Sequence, residues 1–218
     1  MAYDHEEQEQ LDTLKVFWNK YGNLLTWILI AVLGSYAGYN YYKSYQRGKA
    51  AEASALYDQL QTSLAAKDNV KVQRVATDIE AKYGASSYAA MSALSAAKSA
   101  FDSNDLKTAK AQLQWVIEHG NDEYKSIARL RLAGVLLDEK AYDEGLKLLA
   151  AEFPAPFAGA VADRKGDILV AQNKLPEARS AYQAALDAMD KENPGRQLVQ
   201  LKLDAIGGAA PAAAKAAA

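Results

Sequence analysis

Residues 164–188 read RKGDILVAQNKLPEARSAYQAALDA. Two helical stretches flank Gln172-Asn173-Lys174, a polar break short enough for a tight turn between antiparallel helices. The first stretch carries a small residue, Gly166; the second opens on Leu175 and places Ala178 three positions later. Small side chains at those points let the two helices of a hairpin pack closely. The layout recurs upstream. Residues 129–154, RLRLAGVLLDEKAYDEGLKLLAAEFP, have Ala133, Tyr142 and Gly145 in the matching places. Residues 94–120, LSAAKSAFDSNDLKTAKAQLQWVIEHG, have Ala97, Leu106 and Ala109. Ala109, Gly145 and Ala178 stand 36 and 33 positions apart, and Val72, 37 before Ala109, marks a degenerate fourth unit over residues 56–83. A single hairpin cannot cover its own apolar face, so such units must stack.

This pattern resembles the tetratricopeptide repeat, a helix-turn-helix of about 34 residues. Gly145 departs from the alanine usual at its place, and the first unit keeps the pattern poorly. The resemblance implies an all-α fold: a right-handed α-solenoid of about four helical hairpins plus a capping helix. Asn193-Pro194-Gly195 closes the array, and residues 196–206, with Leu198, Leu201 and Leu203, supply the cap. Residues 207–218, GGAAPAAAKAAA, are low-complexity with nothing to pack and read as a flexible tail.

The helix over residues 126–137 carries two apolar stripes. Leu132, Ala133 and Leu136 form the packing stripe. Ile127, Leu130 and Leu137 form a second, on the face that lines the concave groove in tetratricopeptide arrays, and Met91, Leu94 and Phe101 hold similar positions one unit earlier. A helix apolar nearly all round is either buried by its neighbours or part of a binding groove for a peptide or partner helix. Asp163 and Asp167, four apart beside Arg164 and Lys165, read as surface charge able to hold a partner's lysine or arginine.

Residues 21–42, YGNLLTWILIAVLGSYAGYNYY, contain no charged side chain. As a helix they span roughly 33 Å, against about 30 Å of bilayer hydrocarbon. Trp18, Tyr21 and Trp27 mark one interface; Tyr36, Tyr39, Tyr41, Tyr42 and Tyr45 mark the other. A cleaved signal peptide is disfavoured by the long acidic n-region and by apolar residues beyond the candidate cut at Ser35-Tyr36-Ala37. A buried core helix rarely stays uncharged for so long. The expected organisation is an acidic flexible tail and juxtamembrane segment (1–20), a transmembrane helix in the lipid bilayer (21–42), a helical repeat domain (43–206) and the tail (207–218). Leu11, Leu14, Phe17 and Trp18 follow helical spacing and suit an amphipathic lead-in. Gly34 and Gly38 form a small-xxx-small pair for helix pairing. Lys15 and Lys20 precede the run, and Lys43, Arg47 and Lys49 follow it. That count leans by one residue toward a cytoplasmic repeat domain. Charge alone leaves orientation open.

The net charge is -2; residues 1–42 carry -3, leaving +1 for the remainder. A nearly neutral domain has no broad basic surface for a phosphate backbone, so nucleic acid is not an expected partner. There is no cysteine. His5 lies in the polar tail, and His119 precedes Gly120 at a helix end, where it suits the helix dipole. No metal-ligand spacing, nucleophile motif or phosphate loop occurs, so no catalytic, metal or cofactor site is expected, and an enzyme is not.

Taken together, the acidic tail, single membrane helix and degenerate repeats resemble the ancillary SecYEG translocon subunit family (YfgM-like). The likeness is carried by the Tyr-rich exit of the apolar run, Tyr83-Gly84-Ala85 with Ala89 and Leu94, Arg129-Leu130-Arg131-Leu132-Ala133, and Ala162-Asp163 through Gly166 to Ala178-Arg179-Ser180-Ala181. The resemblance implies a single-pass bacterial inner-membrane protein with a cytoplasmic N-terminus and a periplasmic repeat domain. It further implies association with the SecYEG translocon and the periplasmic chaperone PpiD, and contact with emerging or unfolded polypeptides. Two other readings stay open: a membrane-anchored receptor or scaffold facing the cytosol, and a cell-envelope scaffold unrelated to secretion.

Overall fold

The computed structural model describes residues 3–208, with side chains from Lys15 onward. The side chains of Leu11 and Leu14, and most of the tail from residue 207, lie outside the described residues. The described chain is helical, without a strand. Its elements are α1 (Tyr3–Ala65), α2 (Asn69–Tyr83), α3 (Ser87–Asp102), α4 (Leu106–His119), α5 (Asp122–Asp138), α6 (Tyr142–Leu149), a 3-10 turn (Ala155–Phe157), α7 (Ala158–Ala171), α8 (Leu175–Ala188) and α9 (Gly195–Ala205). Packing divides the chain into two compact units, Met1–Glu52 and Ala53–Ala218.

Within the second unit the helices pair as hairpins: the end of α1 with α2, α3 with α4, α5 with α6, and α7 with α8; α9 covers α8. First helices of successive hairpins also touch, α3 on α5 and α5 on α7. All four turns share one geometry. Lys67, Asn104, Lys140 and Asn173 have φ of 55°, 61°, 62° and 59°, the left-handed region. After each, an N–H reaches back five residues: Asp68 to Ser63, Asp105 to Ala100, Ala141 to Leu136, and Lys174 to Leu169, at 2.8–3.0 Å. This 6→1 bond, with a 5→2 bond from the left-handed residue itself, satisfies carbonyls that a helix end would leave open. The left-handed positions stand 37, 36 and 33 apart, the spacings of Val72, Ala109, Gly145 and Ala178. The degenerate first unit is therefore a true repeat in its backbone.

The turns differ in their side chains. Asp68 and Asp105 cap the next helix by accepting the N–H of Lys71 and Thr108, both at 3.0 Å, whereas Ala141 and Lys174 offer no side-chain cap. Lys140 carries a Cβ in a region glycine enters without cost. Lys140→Gly is expected to stabilise the protein by about 0.5–1 kcal/mol, the relief of left-handed strain less the added freedom of the unfolded chain. A thermal melt showing a lower midpoint would refute this.

The three later hairpins cross at small residues: Ala97, Ala133 and Gly166 on first helices, Ala109, Gly145 and Ala178 on second helices, are all buried, whereas the first hairpin has Val72 at that place. Around them lie fully buried Leu60, Ile79, Leu113, Ile168 and Leu203, each worth about 1.5–3 kcal/mol of burial. The cap departs from its expected face. Val199 and Leu203 are its buried residues, with Ile206 packed beside them, while Leu198 and Leu201 point outward, 58% and 60% exposed. Helical geometry accounts for this: positions 199, 203 and 206 fall on one arc, and 198 and 201 on the opposite side.

One acid sits awkwardly between hairpins. Glu80 on α2 packs near Gln112 and His119 of α4, and burial pushes its carboxyl above the usual range against a hydrogen bond from Gln112 and the charge of His119. Its Oε1 and the Oε1 of Gln112 are buried without hydrogen-bond partners among the described residues. As pH rises past the ordinary glutamate range, the unfolded chain ionises first, so folded stability falls until the folded carboxyl ionises too. Glu80→Gln removes that penalty and supplies a donor for the neighbouring amide oxygen. The variant should melt higher than the parent at pH 7, with the gap closing below about pH 4.5; an equal gap at both pH values would sink the explanation.

In the first unit, α1 is the one helix among the described residues long and apolar enough to cross a membrane, and only 6% of its most apolar window is buried. The buried-core reading of this run does not hold. Two of its hydroxyls are closed on the helix itself: Thr26 Oγ1 donates to the Gly22 carbonyl at 2.8 Å, and Ser35 Oγ to that of Ala31 at 2.7 Å. At its ends lysines lie over tyrosine rings, Lys20 on Tyr21, Lys43 on Tyr39 and Lys49 on Tyr45, at 4.8–5.9 Å from the centroids. A Cβ at Gly34 or Gly38 would meet nothing within 4 Å, so that face is open.

Candidate partner-binding surface

The residues expected to line a groove sit on α3, α5 and α7. Leu94 is buried in a cluster with Ala97, Leu113, Val116, Leu132 and Leu136, and Ile127 packs half-buried against it. Leu130 and Leu137 are half-buried against Ala133, Leu149 and Ile168. Met91 is half-buried. Phe101 alone of the six apolar residues is exposed, at 40%. Neighbouring helices therefore cover most of the stripe, because α6 and α7 close over the face that α5 would otherwise present.

Asp163 and Asp167 have partners within the chain. Lys202 of α9 reaches Asp163 Oδ1 and Asp167 Oδ1, each at 2.8 Å. The Tyr182 hydroxyl donates to Asp167 Oδ1 at 2.9 Å, and Arg164 Nη1 stands 3.5 Å from Oδ2. Burial, then the charge of Asp167, holds the Tyr182 hydroxyl protonated well above the ordinary phenol range. Arg179 Nε also donates to the Ile206 carbonyl at 2.7 Å, and Arg196 Nη1 to that of Met189 at 2.9 Å. These bonds fasten the cap, satisfying the carbonyl ends of α8 and α9.

What remains open on the first-helix face is a cavity of about 400 Å³, with Phe101 and Lys98 of α3, Arg131, Gly134 and Asp138 of α5, and Arg164 of α7 in its walls. The two arginines are repeat-equivalent: each stands nine residues before the left-handed residue of its turn. Arg131 Nη1 donates back to the Leu94 carbonyl of α3 at 3.3 Å. The Arg164 guanidinium lies across α5, 3.5 Å from where a Gly134 Cβ would stand. Sequence alone carries both arginines as motif or surface residues and assigns neither to a site. Their separation of 33, equal to that of Ala178 from Gly145, was the signal that could have found them.

Helical hairpins with a shared turn, small residues where the three later hairpins cross and a terminal cap define a tetratricopeptide-like protein, and the family model for the tetratricopeptide repeat-like domain matches residues 15–208. That match takes in the apolar run of α1 as well as the hairpins. An ancillary SecYEG translocon subunit of Neisseria gonorrhoeae is 33% identical over 208 residues, covering 94% of this chain and 100% of the relative. Proteins of the same name from Escherichia coli (30% identical; 94% of this chain, 98% of theirs) and Haemophilus influenzae (28%; 94% and 99%) are also similar. The chain belongs to the ancillary SecYEG translocon subunit family. No solved structure matches it.

Proposed function

We propose that this protein is a non-enzymatic, translocon-associated scaffold, held in the inner membrane by residues 21–42. Its hairpins form a right-handed solenoid over residues 43–206 that faces the periplasm, with the N-terminus in the cytoplasm. The solenoid brings a PpiD-like chaperone, or the emerging polypeptide itself, to the SecYEG exit. The observation that carries this reading is an apolar and exposed helix joined to a repeat domain, in a chain whose relatives bear the name of a translocon subunit. Gly34 and Gly38 supply a face for packing on another membrane helix. On the domain, the first-helix face around Met91 and Phe101 contacts the partner; Leu94, Ile127, Leu130 and Leu137 shape it from beneath, and Asp163 and Asp167 hold its end closed through Lys202.

Protease protection in right-side-out vesicles tests the topology: a repeat domain digested from outside supports it, and one protected inside refutes it. The second reading, a scaffold facing the cytosol, is favoured by Lys43, Arg47 and Lys49 outnumbering Lys15 and Lys20, and the same assay reads it directly. Gentle-detergent purification followed by mass spectrometry should recover translocon subunits; a domain correctly oriented but recovered without them would point to the envelope scaffold unrelated to secretion.

A further inference from the structure

Residues 13–51 hold five cations and no acid. Two of the cations, Lys15 and Lys20, follow a tail that carries Asp4, Glu6, Glu7, Glu9 and Asp12, so acids nearby offset their charge. The other three, Lys43, Arg47 and Lys49, follow the apolar run, and the first acid after them is Glu52. The field of Glu52 acts on Lys49, which also lies over the Tyr45 ring. Lys43 and Arg47 are placed differently. They stand four apart on α1 and share one arc of the helix with Tyr36 and Tyr39, all four exposed. Lys43 Nζ lies 5.9 Å from the Tyr39 ring centroid. The Arg47 guanidinium has no hydrogen bond, ion pair or ring contact among the described residues, and the side of Gly48 next to it is open.

We infer that Lys43 and Arg47 hold the headgroup of an anionic phospholipid, with Tyr36 and Tyr39 lying along its glycerol and upper acyl chain. The inference rests on the reading of residues 21–42 as a membrane span and names the lipid that one end of it selects. Depth fits this occupant. Along the helix, Lys43 lies about 1.5 Å and Arg47 about 7.5 Å beyond Tyr42, within the roughly 5–8 Å of headgroup layer in one leaflet. Charge chooses among lipids. Every phospholipid offers a phosphate that a guanidinium can take with two parallel donors. A zwitterionic headgroup also brings its own cation, and no acid in residues 13–51 stands ready to receive it. A headgroup of net negative charge meets only attraction.

The test uses the full-length protein in phosphatidylcholine vesicles. The chain has no cysteine, so Ser44→Cys gives a single position for a fluorescent donor beside Lys43. The acceptor is carried on an acyl chain of trace phosphatidylglycerol, phosphatidylethanolamine or phosphatidylcholine, and short-range energy transfer from position 44 reads which lipid collects there. Phosphatidylglycerol should be enriched at least about threefold over the other two at low salt, with the gap shrinking as salt rises. Lys43→Gln combined with Arg47→Gln should bring the ratio to about one, whereas Lys15→Gln combined with Lys20→Gln should leave it as in the parent. Equal enrichment of the three lipids by the parent overturns the inference, and that comparison needs no further variant. So does a ratio that survives loss of Lys43 and Arg47, or one that falls equally on loss of Lys15 and Lys20. Alkaline carbonate extraction of the same vesicles separates the two levels. A protein that stays inserted without lipid preference refutes the selectivity alone, whereas one released by carbonate refutes the membrane span as well.

Discussion

Replacing Val32 by arginine is expected to release the protein from the membrane. Val32 lies at the middle of residues 21–42, about 15 Å of helix from either end, beyond the reach of a snorkelling side chain. An arginine at the centre of a spanning helix costs about 2.5–3.5 kcal/mol on insertion scales, a shift of roughly a hundredfold in the inserted population. The run has little reserve against that cost, since Asn23, Thr26 and Ser35 already interrupt it and no second helix among the described residues is long and apolar enough to join it in the bilayer. Alkaline carbonate extraction reads the outcome: the parent and Val32→Leu stay with the membrane, and Val32→Arg moves to the soluble fraction. Retention of Val32→Arg as an integral protein would show that the helix is held by something other than its own partitioning.

Gly166→Ala is expected to destabilise the repeat domain, although alanine is the better helix former. A Cβ at this position would stand 2.5 Å from Tyr182 Cδ1 and 3.0 Å from Cζ, with Cε1 closer still. The ring cannot swing away. It is buried, and its hydroxyl is tied to Asp167 on the same helix as the glycine. Overpacking against a fixed ring costs about 3 kcal/mol at the upper end of its usual range, and the helix-propensity gain returns about 1. The net loss of about 2 kcal/mol should lower the melting midpoint by roughly 4–8 °C in a domain of this size. Gly145→Ala is the matched control. Its nearest neighbour is the terminal Cδ1 of Ile168 at 2.9 Å, a flexible end that can move aside, so this change should be neutral or mildly stabilising. Combining Gly166→Ala with Tyr182→Leu isolates the cause: with the ring gone, the added methyl should cost nothing further. An undiminished cost in that background would place the strain elsewhere.

The contrast between the two glycines bears on what could be read from the chain. Both hold the small-residue place of a repeat, and both are legible as such from spacing. Only the packed structure shows that one faces a pinned aromatic ring and the other a mobile methyl. The candidate surface follows the same division. Ile127, Leu130 and Leu137 announce an apolar face on α5, but whether that face is open depends on how the separate helices α6 and α7 fold back over it. Asp163 and Asp167 look free beside Arg164 and Lys165; their lysine comes from position 202.

By itself, then, the sequence determined the helical class, the repeat period, the turn positions and the apolar run, because each follows from local spacing and composition along a few helical turns. Tertiary structure decided the rest: that Val199 and Leu203, not Leu198 and Leu201, seat the cap, that Lys202 neutralises two acids on α7, and that Arg131 and Arg164 meet in one cavity. The physical reason is the same in every case. Periodicity specifies which residues share a helix face, but burial and pairing are set by neighbours on other helices, and their approach is governed by the side chains at each helix crossing.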